Sequence, residues 1–123
     1  MEEVQVKVRN GYNLIPSEYR TINVEPKMVD DKVTFADPTI FDTTDRIKYV
    51  IRYNFDLDEK TLELPDNTIL EFDGGRLFNG TITGENIKII DLYGIGIRDD
   101  ITITGSYCIF TSSRVYCEGG NIS

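Results

Sequence analysis

Apolar and polar residues alternate over short stretches along most of the chain. The first stretch covers residues 4–9, where every second residue is apolar, and this period predicts a strand. Further strands are predicted at 21–24, at 32–35 and at 48–55, the last because it is rich in β-branched and aromatic residues. Because no helix-length segment separates the strand signals, the pattern predicts an all-β protein.

The chain changes character near residue 46. Residues 1–45 carry three of the four prolines and few regular runs, which is typical of an N-terminal attachment arm or cap. Residues 46–123 contain short apolar runs separated by turn residues such as Asn79-Gly80, and each predicted strand is three to five residues long. The runs are TLEL, TILEF, RLF, GTITG, NIKII, GIGI, DITITG and YCIF.

The tetrapeptide TITG occurs twice, at 81–84 and at 102–105, an offset of 21 residues. The alignment extends downstream, where Ile87 falls on Cys108 and Ile89 on Phe110. Residues 61–63 fall on 81–83 at an offset of 20. A longer match places 72–78 on 117–123, at an offset of 45, which is about two periods.

A period of 20 to 25 residues with short strands is typical of a β-solenoid, in which successive coils stack by parallel pairing at about 4.8 Å. Equivalent side chains then form rows in the core. The predicted rows join Ile82 to Ile103, Ile87 to Cys108 and Ile89 to Phe110. Glycine and asparagine at the turns would serve sharp corners. An antiparallel sandwich or barrel is the alternative, since it also uses short strands and Asn-Gly turns.

The charge and cysteine content exclude several classes of function. Lys and Arg number 13 against 21 Asp and Glu, and a net charge of −8 disfavours binding to nucleic acid or to an anionic membrane surface. No apolar run reaches the roughly 20 residues of a membrane span, so no membrane insertion is expected. With no histidine and only Cys108 and Cys117, no zinc site and no cofactor is predicted. We expect two small buried thiols rather than a disulfide.

Carboxylates are the only candidate catalytic groups. Asp56, Asp58 and Glu59 lie close together, and Asp99 precedes Asp100. Paired carboxylates can catalyse glycoside hydrolysis or coordinate Ca²⁺. At turn positions, however, carboxylates are usually exposed to solvent without such a role. The segment 73–75 lacks the spacing of a phosphate loop. We therefore predict no catalytic residue.

The first half of the chain holds most of the aromatic residues. They either cover the open first coil of the solenoid, as a cap, or contribute to a surface that faces another protein. The alternating strand at 4–9 suits addition to a partner's sheet. The predicted docking residues are Val4, Val6, Val8, Tyr12, Leu14 and Ile15.

The two ends of the sequence carry expectations of their own. The first ten residues lack the basic and apolar regions of a secretory signal, so we expect assembly in a cytoplasm. The last residues, EGGNIS, correspond to the start of another repeat. We expect a longer chain that continues the solenoid, or else a partner or a symmetry-related chain that covers the open coil.

Residues 48 to about 90 resemble the opening of right-handed parallel β-helix proteins from phages of Bacteroides, including the crAss-like group. The chain departs from the family pattern at Ile87, where the family has threonine. Related openings occur in bacterial pectate-lyase-like proteins. The matching positions are Ile51-Arg52-Tyr53-Asn54-Phe55-Asp56-Leu57, Pro65, Thr68, Leu70, Phe72, Gly74-Gly75 and Asn79-Gly80-Thr81-Ile82.

The resemblance implies a fibre or tailspike of the virion. Such a protein is a homotrimer whose N-terminal region anchors to other virion proteins, such as capsid, portal or tail, and whose distal region binds a host surface glycan. The resemblance therefore favours a non-enzymatic structural role located in the virion. The alternatives are the N-terminal fragment of a β-helix polysaccharide lyase or hydrolase, and a monomeric glycan-binding module.

Overall fold

A computed structural model of the chain describes residues 19–97 and 100–118. The fold is all-β, as predicted, and these ranges contain no α-helix. Among the described residues, one 3₁₀ turn lies at Pro38–Phe41. The strands are β1 (Arg20–Asn23), β2 (Pro26–Val29), β3 (Lys32–Phe35), β4 (Ile47–Ile51), β5 (Asn54–Asp56), β6 (Thr61–Glu63), β7 (Ile69–Phe72), β8 (Arg76–Phe78), β9 (Gly80–Ile90), β10 (Ile101–Phe110) and β11 (Val115–Glu118).

Most of the strands join one mixed sheet. Its order is β11-β10-β9-β7-β4-β1, and β6 also pairs with β9. All of these pairs are parallel except β10–β11. Two small sheets complete the fold, the antiparallel hairpin β2–β3 and the parallel pair β5–β8.

The offsets predicted from the repeated tetrapeptide are confirmed. Residues 81–84 lie beside residues 102–105 in parallel register, with Ile82 opposite Ile103. Residues 61–63 lie beside 81–83. The repeat in the sequence therefore reflects strands that are neighbours in space.

The chain passes through three groups of parallel strands in a fixed order. The first group is β4, β7 and the second halves of β9 and β10, the second is β5, β8 and the bridge residue Ile97, and the third is β6 and the first halves of β9 and β10. From β4 onward the chain completes this order three times and then returns to the first group. Each pass adds one strand to each group, except that the third pass adds only the bridge residue Ile97 to the second group.

Two of the predicted rows are wrong by one residue. Ile87 lies opposite Tyr107 rather than Cys108, and Ile89 lies opposite Ile109 rather than Phe110. The register shifts between Gly84 and Ile87, where β9 has one residue more than β10. A bulge of this kind is invisible to an alignment at constant offset.

Several predicted strands have different lengths. The single strand predicted at 48–55 is two strands, β4 and β5, because the chain turns at Arg52 and Tyr53. The backbone amides of Asp73 and Gly75 both bond to the Ile51 carbonyl, at 2.8 and 3.1 Å, and fix the next pass against this corner. Conversely, GTITG and NIKII merge into the 11-residue β9, and DITITG and YCIF merge into the 10-residue β10.

The segment after β10 turns back instead of starting another parallel pass. Strand β11 is antiparallel to β10, so the predicted equivalence of 117 with 72 is not seen in the strand pairing. Cys117 lies directly opposite Cys108, and the two form a disulfide. The prediction of two free buried thiols is therefore wrong. The two sulfurs meet because Cys108 and Cys117 lie opposite each other on antiparallel strands. A sequence spacing of nine residues does not by itself predict this arrangement.

The core lies between the three groups of strands. One row across the sheet contains Ile22, Tyr49, Leu70, Ile89 and Ile109. The three central members of this row are fully buried, whereas Ile22 and Ile109 are only partly buried. Burial of such side chains is worth roughly 1.5–3 kcal/mol each and drives the stacking of the passes.

Asparagines occupy the corners, as predicted. Asn67, Asn79 and Asn86 all have positive φ, between 57° and 66°. The Asn86 amide donates to the Asn67 side-chain oxygen at 2.6 Å, which joins corners of successive passes. The Asn79 amide donates to an oxygen of Asp56 at 2.9 Å in the same way.

Residues of the first part of the chain close one end of the core. The hairpin β2–β3 and the 3₁₀ turn bring Phe35 against Phe41 and Phe55, with ring centroids 5.1 and 4.9 Å apart. Phe41 in turn contacts Tyr49 at 4.6 Å. These four rings support a cap role. Strand β1 pairs with β4 across residue 46, and the division of the chain at that residue stays a prediction.

Candidate functional site

A cleft lies between the cap and β6. Its volume is about 440 Å³. The apolar floor is formed by Phe35, Phe41, Leu57 and Leu62, and charged groups of Asp42, Lys60 and Glu63 stand around it. The cap therefore contributes one wall, and the first pass of the repeated strands contributes the other.

The 3₁₀ turn holds the cap wall in place. Asp37 begins the turn, and its carboxylate accepts a hydrogen bond from the Thr39 amide at 3.1 Å. Pro38 follows, at a position where its missing N–H costs nothing. The turn ends on Phe41, which is buried. A capped, proline-initiated turn thus fixes the aromatic ring that faces the cleft.

The Tyr49 hydroxyl anchors the turn from beneath. It donates a hydrogen bond to the Ile40 carbonyl at 2.6 Å. Burial raises the pKa of Tyr49 to about 12. The phenol is therefore neutral at physiological pH and acts as a structural donor.

A small group of exposed charges lies beside the cleft. Lys32 of β3 forms an ion pair with Asp58, and Lys60 approaches the same carboxylate at 3.8 Å. The hydrogen bond from Lys32 lowers the pKa of Asp58, and the same bond raises the pKa of Lys32. The pair links the cap to the corner after β5, although such exposed pairs contribute little stability.

The carboxylates considered for catalysis have structural or solvated positions. Asp56 accepts hydrogen bonds from the Asp58 amide at 2.8 Å and from Asn79 at 2.9 Å, while Glu59 is exposed. Asp99 lies outside the described residues. Asp100 is an exposed turn residue whose carbonyl accepts from Gly80 at 3.3 Å. Within 19–97 and 100–118, no three His, Cys, Asp or Glu side chains come together as a metal site.

Asp91 is a buried carboxylate that sequence reasoning missed. Only 5% of its surface is exposed. Its oxygens accept hydrogen bonds from the amides of Ile95 and Gly96, at 3.2 and 3.0 Å. A Cβ on Gly96 would lie 2.2 Å from the Phe72 ring, so glycine is required there. The sequence signal was an aspartate directly after a strand and before a glycine-rich loop, which predicts a turn anchor.

Several large apolar side chains in the later part of the chain are exposed. Leu92, Tyr93 and Ile95 lie on the loop after β9, and Val115 and Tyr116 lie on β11. The Ser112 amide donates to the Leu92 carbonyl at 3.2 Å and joins this loop to the turn before β11.

The predicted docking residues lie outside the described part of the chain. Val4, Val6, Val8, Tyr12, Leu14 and Ile15 all precede Tyr19, the first described residue. Their assignment stays a prediction. Among the described residues, no helix has the length and apolar character that a membrane crossing requires.

The lining of the cleft has the chemistry of a binding site. An apolar aromatic floor with a charged rim can hold a small ligand or a partner's side chain, since pockets with these features bind through shape and a few polar contacts. The described carboxylates near it are paired or solvated. Comparison with protein-family models, with curated proteins and with solved structures finds no match.

Proposed function

We propose that this chain is a structural virion protein, the N-terminal anchoring part of a phage head or tail fibre or tailspike. The observation that supports the proposal most is the ordered return of the chain to three groups of parallel strands, with confirmed offsets of 20 and 21 residues. Such stacking produces a rigid rod-like unit whose passes contact only their neighbours. The role is mechanical, and no enzymatic activity is assigned to it.

In this proposal the three groups are the walls of a right-handed parallel β-helix. The parallel registers and the asparagine corners support it. The aromatic cap supports it as well, because a solenoid must cover the apolar end of its first coil. The antiparallel β11 is a departure from simple parallel stacking.

The assembly belongs to the same proposal. Three copies form the fibre, the segment that carries Val4, Val6 and Val8 docks to another virion protein, and a distal region binds a host glycan. The resemblance of residues 48–90 to phage β-helix proteins supports these points.

A glycan-binding module is the second candidate, and the cleft is the observation that favours it. Sugar rings stack on aromatic faces and hydrogen-bond to charged groups, and the cleft offers the partly exposed Phe35 ring with Asp42, Lys60 and Glu63 around it. In that case the cleft would be the working site of a single chain. A β-helix lyase or hydrolase gains no support from the described carboxylates.

Light scattering of the native gene product separates these candidates. The fibre proposal expects a trimer whose mass is at least three times the 14.0 kDa of this chain. A stable monomer would contradict it. Calorimetric titration with host-surface polysaccharide then tests the module, with Phe35→Ala as the cleft variant and Tyr53→Ala, outside the cleft, as its matched control. Binding by a monomer that only Phe35→Ala removes would establish the second candidate.

A further inference from the structure

Strand β6 has an unpaired edge. Among the described strands it pairs only with β9. On that side the Lys60 carbonyl accepts from β9 at 3.0 Å, and the Leu64 amide donates to β9 at 2.9 Å. Because successive residues of a strand point their amide and carbonyl groups to alternate edges, those of Thr61 and Glu63 point to the other edge. No described backbone group pairs with them there.

The unpaired edge borders the cleft. Thr61, Leu62 and Glu63 all line it, opposite Phe35 and Phe41 of the cap. Since β9 occupies the other edge of β6, the side that faces the cap is the unpaired one. Leu62 is buried in the cleft floor, whereas Thr61 and Glu63 are exposed. The free backbone groups therefore open into a volume with an apolar floor.

The other two groups of parallel strands have a strand of the first part of the chain at this level. In the first group, β1 pairs with β4. In the second group, β3 packs against β5, and Phe35 contacts Phe55 at 4.9 Å. The third group begins at β6, and the described part of the chain adds no strand before it. The cleft therefore occupies the place of one further strand.

The charged groups around the cleft favour a basic occupant. Asp42 and Glu63 are exposed, and neither forms an ion pair with a described residue. The cationic lining residue is Lys60, and its ammonium group already lies 3.8 Å from the Asp58 carboxylate. Opposite charges on neighbouring strands stabilise their pairing. A strand beside β6 would therefore gain from a basic side chain next to Glu63.

We propose that the cleft binds an extended strand of a partner protein, which adds to the free edge of β6. Three residues of such a strand span about 10 Å, the length of the three-residue β6. Its backbone bonds to Thr61 and Glu63, an apolar side chain beside Leu62 rests on the cleft floor, and a basic side chain pairs with Glu63. In recognition of this kind, backbone bonds give affinity and alternate side chains give specificity.

The inference does not depend on the virion role. It assigns the cleft a peptide strand, whereas the second candidate function assigns it a glycan. A sugar ring presents no amide and carbonyl groups at strand spacing, so the free edge of β6 favours the peptide. The oligomeric state, which tests the fibre proposal, leaves this inference untouched.

Amide hydrogen exchange in the 123-residue chain tests the site, with the synthetic peptide acetyl-Lys-Val-Lys-Val-Lys-amide as the probe. In the free chain the amides of Thr61 and Glu63 should exchange fast and that of Leu62 slowly, since Leu62 faces β9. When about nine-tenths of the chain is bound, exchange at Thr61 and Glu63 should slow about tenfold, because only the free fraction exchanges. Exchange at Leu62 should not change.

Two N-methylated peptides test the strand geometry. Methylation of the Val amides removes the donors that face β6 in a parallel arrangement, and methylation of the Lys amides removes those that face it in an antiparallel one. We expect one of these peptides to lose binding and the other to keep it. Loss by both, or retention by both, would contradict strand addition.

A charge-reversed variant tests the rim of the cleft. Glu63→Lys should weaken peptide binding about fivefold. Glu25→Lys is the matched control, because Glu25 is an exposed carboxylate outside the cleft and its reversal changes the net charge equally. Equal weakening by both variants would show that only the overall charge attracts the peptide, and would contradict the proposed site.

Two further results would overturn the proposal. Slow exchange at Thr61 and Glu63 without peptide would mean that the chain already pairs this edge itself. Absence of peptide binding at millimolar concentration would leave the cleft to a ligand of another class.

Discussion

At the scale of single residues, close backbone approach decides which corners accept only glycine. Gly105 has φ +90°, and a Cβ there would lie 2.0 Å from the Gly84 carbonyl oxygen. Both residues are the last of the TITG tetrapeptides, and they are direct neighbours in the sheet. The repeated glycine therefore marks a point where the backbones of two passes leave no room for a side chain on Gly105.

Gly105→Ala should destabilise the fold strongly. The backbone strands β9 and β10 would have to separate, and we expect a loss of more than about 3 kcal/mol in the free energy of unfolding. Gly94→Ala is the matched control, since Gly94 has φ +70° but no atom within 4 Å of the added Cβ. It should lose about 1–2 kcal/mol from backbone strain alone. Denaturant unfolding of both variants measures the difference, and equal losses would contradict the close approach.

Tyr49 should make the fold sensitive to alkaline pH. Its pKa rises from 10.0 to about 12 on folding because the ring is buried. The neutral form is favoured in the folded state, so its contribution is fully present below pH 10 and is lost between pH 10 and 12. A shift of about two units corresponds to about 3 kcal/mol.

Tyr49→Phe tests this contribution. At neutral pH the variant loses only the hydrogen bond to the Ile40 carbonyl, about 1 kcal/mol. Between pH 10 and 12 it should lose less stability than the parent protein, as followed by denaturant unfolding at each pH. Parallel pH profiles of parent and variant would show that Tyr49 ionises without cost to the fold.

At the scale of elements, the hairpin β10–β11 differs from the rest of the sheet. It is the one antiparallel pair in the described part of the main sheet, and Val115 and Tyr116 of β11 are exposed. Strand β11 therefore buries little apolar surface. Its position depends on four backbone pairs and on the disulfide between Cys108 and Cys117.

Removal of the disulfide should release β11 selectively. The loop that it closes is short, and chain entropy predicts a loss of roughly 2.5 kcal/mol for the Cys108→Ser, Cys117→Ser double variant. Amide hydrogen exchange should accelerate at Tyr116 in β11 and stay slow at Leu70 in β7. Equal acceleration at both positions would mean that β11 is part of one cooperative unit with the sheet.

The sequence predicted the repeated elements and the short strands at 21–24 and 32–35, and it missed the departures from the repeat. Residues 81–84 and 102–105 carry the same tetrapeptide, so their pairing followed from the repeat and its offset of 21 residues. The bulge after Gly84 left no such signal, because one extra residue changes register without changing residue types. The disulfide was missed because only the reversal at 111–114 places Cys117 opposite Cys108.

At the scale of the whole molecule, burial falls off along the stack of passes. Leu70 is fully buried in the middle of the sheet, and Ile109 occupies the same row at β10 but is only partly buried. The stability that each side chain contributes should follow this difference in burial, because the hydrophobic free energy scales with the apolar area removed from water.

Leu70→Ala and Ile109→Ala measure the gradient. We expect about 2–5 kcal/mol of lost stability for Leu70→Ala, as for other fully buried leucines. Ile109→Ala should lose less than half as much. Thermal and denaturant unfolding at several protein concentrations give both values. A cost at Ile109 that equals the cost at Leu70 and rises with concentration would show that another chain completes the burial at β10.

The cleft could not be predicted from the sequence, and the cap could be predicted only in part. Phe35 and Phe41 were predicted either to cover the core or to face a partner, and the ring contacts favour the first. Phe35 and Phe41 are far from Leu62 in the sequence, so the sequence does not show that the three residues line one cleft. The position of Leu62 is set by the pairing of β6 with β9. The docking residues 4–15 stay a prediction.

The corner at Asn79 also affects how the protein ages. Asn-Gly is the dipeptide most open to deamidation, in which the amide nitrogen of the glycine attacks the asparagine side chain. Here the Gly80 amide donates to the Asp100 carbonyl at 3.3 Å, and the Asn79 amide group is held by Asp56 at 2.9 Å. Folding therefore withdraws both reacting groups. If the corner opens and Asn79 deamidates, its side chain becomes a carboxylate. This carboxylate would lie beside Asp56 in the closed corner, and the repulsion between the two negative charges would oppose closure. Chemical damage at this one dipeptide would thus make a transient opening permanent.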